Sequence, residues 1–236
     1  MFPVIAAALV GGRFLTPGPG SPAAGHPEGK AATDLRARLL PEPAELLALV
    51  PTAAAWSMPF GTSTGAFCYI AQGFGAENNI RGGRHLGDDW NGIGQENTDE
   101  GDPVFAVADG AVAYAAEASP GWGGVVIVLH RLPDGGITQS FYGHLAASSL
   151  AVRVGQRIPR GALVGRIGHP LAVDFTHLHL EIRDAAWVEP GPGYAAEGRE
   201  SGGRTAPSAF LEPRLAPAGL PGPNGRQGTS EARQAL

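Results

Sequence analysis

Cys68 is the only cysteine in 236 residues, so no internal disulfide can hold this chain together. Its expected role is that of a small packed hydrophobe. Lysine is almost missing as well. Lys30 is alone among 17 basic residues, and the formal net charge is −5. That balance offers no basic footprint for a phosphate backbone, which argues against a nucleic-acid partner. No apolar run approaches the roughly 20 residues needed to span a bilayer. Val4–Val10 is apolar, but it is short and no basic residue precedes it, so it makes a poor secretory leader. No HExxH sequence occurs, which excludes a glutamate base carried on one helix between two histidine ligands.

Glycine (36) and proline (21) are plentiful, and they favour turns and short strands over long helices. At 43% hydrophobic, the chain has enough apolar residues for one domain with a real core. Residues 1–30 read as a leader and linker rich in Gly and Pro. Residues 31–55 carry two short helical pieces, Asp34–Leu40 and Ala44–Leu49, separated by Pro41 and Pro43. From residue 56 to 190 the texture changes to short strand-like runs: Val104–Val107, Ala111–Ala115, Val125–His130, Thr138–Tyr142 and His177–Ile182. Ala108-Asp109-Gly110 reads as a hairpin turn and Leu132–Gly136 as a longer hairpin loop. Regular strands with frequent turn signals predict an all-β antiparallel domain, a sandwich with a groove and short N-terminal helices. Residues 191–236 form a Gly/Pro-rich tail, of which Ser208–Leu215 is expected to pack back.

The chemistry concentrates in three places. In His177-Leu178-His179 the two imidazoles are two residues apart, so a strand presents both on one face, about 6.6 Å apart. In His85-Leu86-Gly87-Asp88-Asp89 a histidine and a carboxylate stand four apart across a glycine expected to turn the chain sharply. Phe141-Tyr142-Gly143-His144-Leu145 is a short aromatic strand ending in histidine. The candidate set is therefore His85, Asp89, His144, His177 and His179. Imidazole nitrogen and carboxylate oxygen both bind Zn²⁺, and a catalytic zinc takes three protein ligands. Two groups are then left for general acid/base work. Spacing alone does not decide which three bind. Glu181 shares the face of His179 and is placed to support it. His130 reads as a strand-end hydrogen bonder, His169 as a loop residue and His26 as solvated.

These motifs, in this order, resemble the lysostaphin/LytM-type zinc metallopeptidases, which cut peptidoglycan cross-links. HLGDD fits H-x-G-x-D, YGHL fits the central histidine motif, and HLHLEIR fits the H-L-H-F-E-I block. GDPVFAVADGAVAYA and VRVGQRIPRGALVGRIG match the intervening stretches, so the likeness runs from about Phe60 to Asp184. The resemblance implies one zinc held by His85, Asp89 and His179, with His144 and His177 as the catalytic pair. Asp88 is then expected to face solvent or to support a ligand. It also implies an endopeptidase acting as a monomer, outside the cytoplasm, on a stem or cross-bridge peptide of the wall. Two other functions fit the resemblance: a non-catalytic activator of cell-wall amidases, and a zinc peptidase acting on non-wall proteins. The chain departs from the pattern in the turn Gly168–Thr176, and Tyr69 is the nearest candidate for the tyrosine that lines this family's groove.

Overall fold

The computed structural model describes residues 43–62, 65–171, 173–184, 188–196 and 201–216. The helix expected over Asp34–Leu40 and the residue His26 lie outside them. In chain order the elements are helix α1 (Pro43–Leu49), β1 (Cys68–Gln72), β2 (Glu77–Asn78), β3 (Gly83–His85), β4 (Asp88–Gly92), β5 (Pro103–Phe105), β6 (Gly110–Ser119), β7 (Gly123–Arg131), β8 (Ile137–Leu145), β9 (Arg157–Ile158), β10 (Leu163–Arg166), β11 (Leu178–Arg183), β12 (Tyr194–Ala195), β13 (Arg204–Thr205) and helix α2 (Pro207–Leu211). The α1 span starts at a proline, which suits a first turn whose N–H has no partner. No helix among the described residues is long and apolar enough to cross a membrane.

One antiparallel sheet dominates, in the order β1-β4-β11-β8-β7-β6-β9, with β13 pairing on β11. Its centre is apolar on both faces. Val126 and Val128 of β7 point into the main core with Trp56, Tyr142, Leu178 and Leu180. The alternate residues Val125 and Ile127 pack on Phe141, while Leu129 packs with Leu46 and Val50 of the α1 region. A strand buried on both faces reads as a continuous apolar run, which is why Val125–Leu129 shows no alternation. Each of these fully buried side chains contributes roughly 1.5–3 kcal/mol by leaving water. Two small sheets flank the large one, β10-β5 and β12-β3-β2.

The all-β antiparallel architecture agrees with the pattern of short runs, and the Leu132–Gly136 loop joins β7 to β8 as expected. The Ala108–Gly110 hairpin does not form. β5 pairs with β10, so the Asp-Gly signal marks a crossing from one sheet to another. Asp109 instead accepts the Arg160 N–H at 2.7 Å, tying that crossing to the turn before β10. Past residue 190 the chain still adds β12 to β3, β13 to β11, and α2 to the core through Leu211.

Candidate metal centre

His85 ends β3, Asp89 lies in β4 and His179 in β11, where His179 sits directly opposite Asp89 in the ladder. That register brings together residues 90 apart in sequence. His179 Nδ1 lies 2.8 Å from Asp89 Oδ1, and His85 Nε2 lies 3.2 Å from the same oxygen and 3.0 Å from His179 Nδ1. All three are buried, and one ligand atom from each falls within 4.8 Å of the others. Bonds of about 2.0–2.1 Å to a tetrahedral ion place its ligands about 3.3 Å apart. The donor set, two imidazoles and a carboxylate, therefore fits a zinc-sized cation with little rearrangement.

Gly87 makes this approach possible, for a different reason from the one expected. It is not among the residues with positive φ. A Cβ there would lie 2.7 Å from His179 Nε2 and would collide with the Leu180 carbonyl. The glycine supplies room for β11, not a turn.

His144 and His177 complete the cluster. His177 stands one residue ahead of β11, and its Nε2 is 3.5 Å from Asp89 Oδ1. Its Nδ1 donates to the Phe175 carbonyl at 2.8 Å, which leaves Nε2 as the free acceptor. His144 and His177 meet edge to face, with ring centroids 4.7 Å apart. His144 has φ of 60°, in the left-handed region. The β7–β8 register shifts there: Gly124 opposes Leu145 and Val126 opposes Tyr142, so β8 carries an extra residue. Such a bulge re-aims a side chain. Backbone bonds from His144 N to the Trp122 carbonyl (3.0 Å) and from Gly168 N to the His144 carbonyl (2.8 Å) hold it.

Behind His179 lies a buried charge network. His179 Nε2 is 3.1 Å from Glu181 Oε1, while Glu181 Oε2 accepts Arg183 Nε at 2.6 Å and also Arg204 Nε. Burial alone would depress His179, but its bonds to Asp89 and Glu181 push it up to about 9. Burial would raise Asp89, yet the hydrogen bonds of His179 and His85 hold it well below the usual carboxylate range. Glu181 is likewise pulled down to about 2, against burial, by His179 and Arg183. Burial lowers His177 and takes His144 well below the ordinary histidine value, with the charges of His177 and His179 adding to the latter. The site thus combines an ionised pair with two imidazoles that stay neutral near pH 7.

The cluster floors an open groove of about 660 Å³. Tyr69 lines it as expected, but Tyr194 comes closer to the cluster, its ring centroid 5.2 Å from that of His85. Trp122 stacks on His144 at 5.2 Å and 27°, and its Nε1–H is fixed by the Gly191 carbonyl. Neither aromatic was found from sequence. Trp122 sits in Pro120-Gly121-Trp122-Gly123-Gly124, where an aromatic flanked by glycines was the only signal. Tyr194 lies too far along the chain for spacing to link it to His85.

Asp88 neither faces solvent nor supports a ligand. It is buried, accepting Phe74 N and Ser208 N at 2.8 Å each, because its side chain points to the opposite face of β4 from Asp89. His169 stays in its exposed turn, with Nε2 3.1 Å from the Val173 carbonyl. His130 is fully buried between the Asp109 carbonyl and Ser140 Oγ, away from the groove. Cys68 is partly buried and lies outside the donor set.

Residues 89–190 match the model described as Peptidase family M23. Over 104 residues the chain is 35% identical to "Cell division protein DipM" of Caulobacter vibrioides (strain NA1000 / CB15N), a match covering 42% of this chain and 16% of that protein. The likeness therefore spans only a small part of that relative's length. Among solved structures, the antimicrobial peptidase lysostaphin from Staphylococcus simulans superposes with a TM-score of 0.52 and 20% identity, over 74% of this chain and 62% of that one. That likeness is one of fold. His85, Tyr194 and Arg204 all fall outside the segment matched to the family.

Proposed function

We propose that this chain, whose residues 89–190 match Peptidase family M23, is a zinc endopeptidase hydrolysing peptide cross-links of bacterial peptidoglycan. The observation that carries this reading is the convergence of His85, Asp89 and His179 donor atoms on the floor of the groove, beside two imidazoles held neutral. His85 Nε2, Asp89 Oδ1 and His179 Nδ1 would hold the ion. Zinc, when bound, supplies Lewis acidity that polarises the scissile carbonyl and lowers the pKa of water to about 7.

The chain's own groups do the rest. Glu181 keeps a proton on His179 Nε2 and so turns Nδ1 toward the ion. His177 Nε2, its tautomer fixed by the Phe175 carbonyl, accepts a proton from the attacking water. His144, braced on Trp122, stabilises the developing oxyanion, and the proton taken up by His177 passes on to the departing amine. The roles of the two can be exchanged without altering the balance: water and an amide become a carboxylic acid and an amine. Glycan cleavage normally uses two carboxylates flanking the bond, which this cluster does not provide. The proposed substrate lies outside the cytoplasm, and so does the proposed site of action.

The test is digestion of isolated peptidoglycan by the full chain. New amino termini without new reducing ends, abolished by a chelator and restored by zinc, are the expected result. Reducing ends formed in the presence of chelator would overturn the reading. Zinc binding without any cleavage would point to a non-catalytic activator, and cleavage confined to ordinary proteins would point to a non-wall peptidase.

A further inference from the structure

Arg204 lies 14 residues beyond the segment matched to the family, yet its guanidinium ends on the carboxylate that touches His179. Glu181 is fully buried, and its two oxygens are used differently. Oε2 takes both guanidinium Nε groups, from Arg183 and Arg204, whereas Oε1 is left to His179 Nε2. Both arginines are anchored elsewhere. Arg183 donates to the Glu189 and Pro190 carbonyls at 2.6 and 2.7 Å and lies over the Phe141 ring. Arg204 pairs with Arg183 across the β11–β13 ladder and reaches the Ser201 and Pro192 carbonyls at 3.3 and 3.4 Å.

Two forks converging on one oxygen fix the rotation of the carboxylate. The other oxygen must then face the imidazole. An ionised carboxylate only accepts hydrogen bonds, so the nitrogen opposite it must carry a proton. That nitrogen is His179 Nε2; Nδ1 meets Asp89 and His85, and its proton is the one an ion would displace. Charge agrees with this order: Glu181 and Asp89 offset Arg183 and Arg204, so His179 completes the network as a neutral ligand once an ion is present.

We infer that Arg204 is a positioning residue for the metal centre, acting through Glu181 to fix which nitrogen of His179 is offered to the ion. The inference rests on the zinc reading proposed above. Its consequence is that residues 201–205 belong to the working site although they lie outside the family segment.

The experiment compares full-length wild type, Arg204→Met and Arg204→Lys. Arg204→Met keeps the length of the side chain and removes its charge and donors. Folding is checked by circular dichroism. The His179 Nε2–H proton is followed by ¹⁵N-edited NMR in zinc-free protein, and zinc affinity is measured against a competing chelator. Wild type should show a slowly exchanging Nε2–H. Arg204→Met should leave that proton in fast exchange with water and bind zinc about 10–100-fold more weakly, the range typical of lost outer contacts to a ligand. Arg204→Lys should restore part of both. A folded Arg204→Met with a protected Nε2–H and unchanged affinity would make Arg204 merely structural and overturn the inference. Should Arg204→Met fail to fold, Glu181→Gln and Arg204→Lys decide it. The glutamine amide must turn its oxygen to the arginines and its NH₂ to His179, removing the reason for a proton on Nε2. Survival of that proton in Glu181→Gln, with wild-type behaviour of Arg204→Lys, refutes the inference. If wild type binds no zinc, the metal reading fails, while the Nε2–H signal still judges Arg204.

Discussion

Thr176 and Asp99, 77 residues apart in sequence, meet in a buried hydroxyl–carboxylate hydrogen bond one residue ahead of His177. The contact belongs to a clamp. Asp99 Oδ2 accepts Gly92 N at 3.1 Å, Asn97 Oδ1 accepts Thr176 N at 2.8 Å, and Asn91 Nδ2 donates to the Thr176 carbonyl at 2.9 Å. The turn from residue 168 to 176, where the chain departs from the family pattern, is thus pinned at its end by the loop after β4. Thr176→Val keeps the shape and deletes the hydroxyl, leaving a buried carboxylate oxygen short of a donor. Stability should fall by about 1–3 kcal/mol. Turnover should drop with zinc content intact, because His177 loses its fixed approach. Unchanged urea midpoint and unchanged turnover would count against the clamp.

Loss of any proposed ligand should be visible in the metal itself. After dialysis, wild type should retain about one zinc per chain. His85→Ala, Asp89→Ala and His179→Ala should each lose most of it by elemental analysis. If all three kept full zinc, the ligand assignment would be wrong.

The two remaining histidines should separate from the ligands by the opposite test. His144→Ala and His177→Ala should keep zinc and lose about 10²–10⁴-fold in kcat, the usual worth of a general acid or base. Near-normal kcat in either metal-loaded variant removes that residue from the chemistry.

His130 makes a prediction about pH that is independent of the groove. Burial depresses it to about 4, opposed only in part by the Asp109 carbonyl. The unfolded chain binds this proton near pH 6.5, whereas the folded chain resists it. Stability from the neutral ring is therefore complete above about pH 6.5 and is lost as pH falls toward 4. Between pH 7 and 5 that amounts to on the order of 2 kcal/mol. Urea unfolding at both pH values should show the loss in wild type and a much smaller one in His130→Gln. Equal losses in both proteins would assign the acid sensitivity to other groups.

The sequence carried the fold class and the gathering of the five site residues because those depend on local signals. Short valine-rich runs between glycines read as strands, and the H-x-G-x-D and H-x-H spacings brought their residues to one groove. What stayed hidden depends on partners far along the chain. Trp122 and Tyr194 reach the cluster only after β6, β7 and β12 are in place. The Asp109–Gly110 turn misled because its strands belong to different sheets, a matter of long-range pairing. The H-x-G-x-D spacing singled out Asp89, whereas the place of Asp88, turned by the pleat of β4 onto Phe74 N and Ser208 N, was not legible. The glycine of H-x-G-x-D was correctly singled out, but its reason is the van der Waals surface of β11, which no one-dimensional pattern displays.

The left-handed backbone of His144 sets the direction in which this site decays. A non-glycine residue held at that φ costs on the order of 1–3 kcal/mol, and glycine adopts it freely. His144→Gly should therefore unfold at a higher temperature than His144→Ala, which loses the same ring contacts but keeps the strain, while turnover collapses in both. Once the proposed role of the ring is no longer demanded, glycine is the replacement this backbone favours, since it relieves the strain fully. Descendants that have become scaffolds should be recognisable by a glycine or asparagine here on an otherwise sound β8, before any ligand is lost.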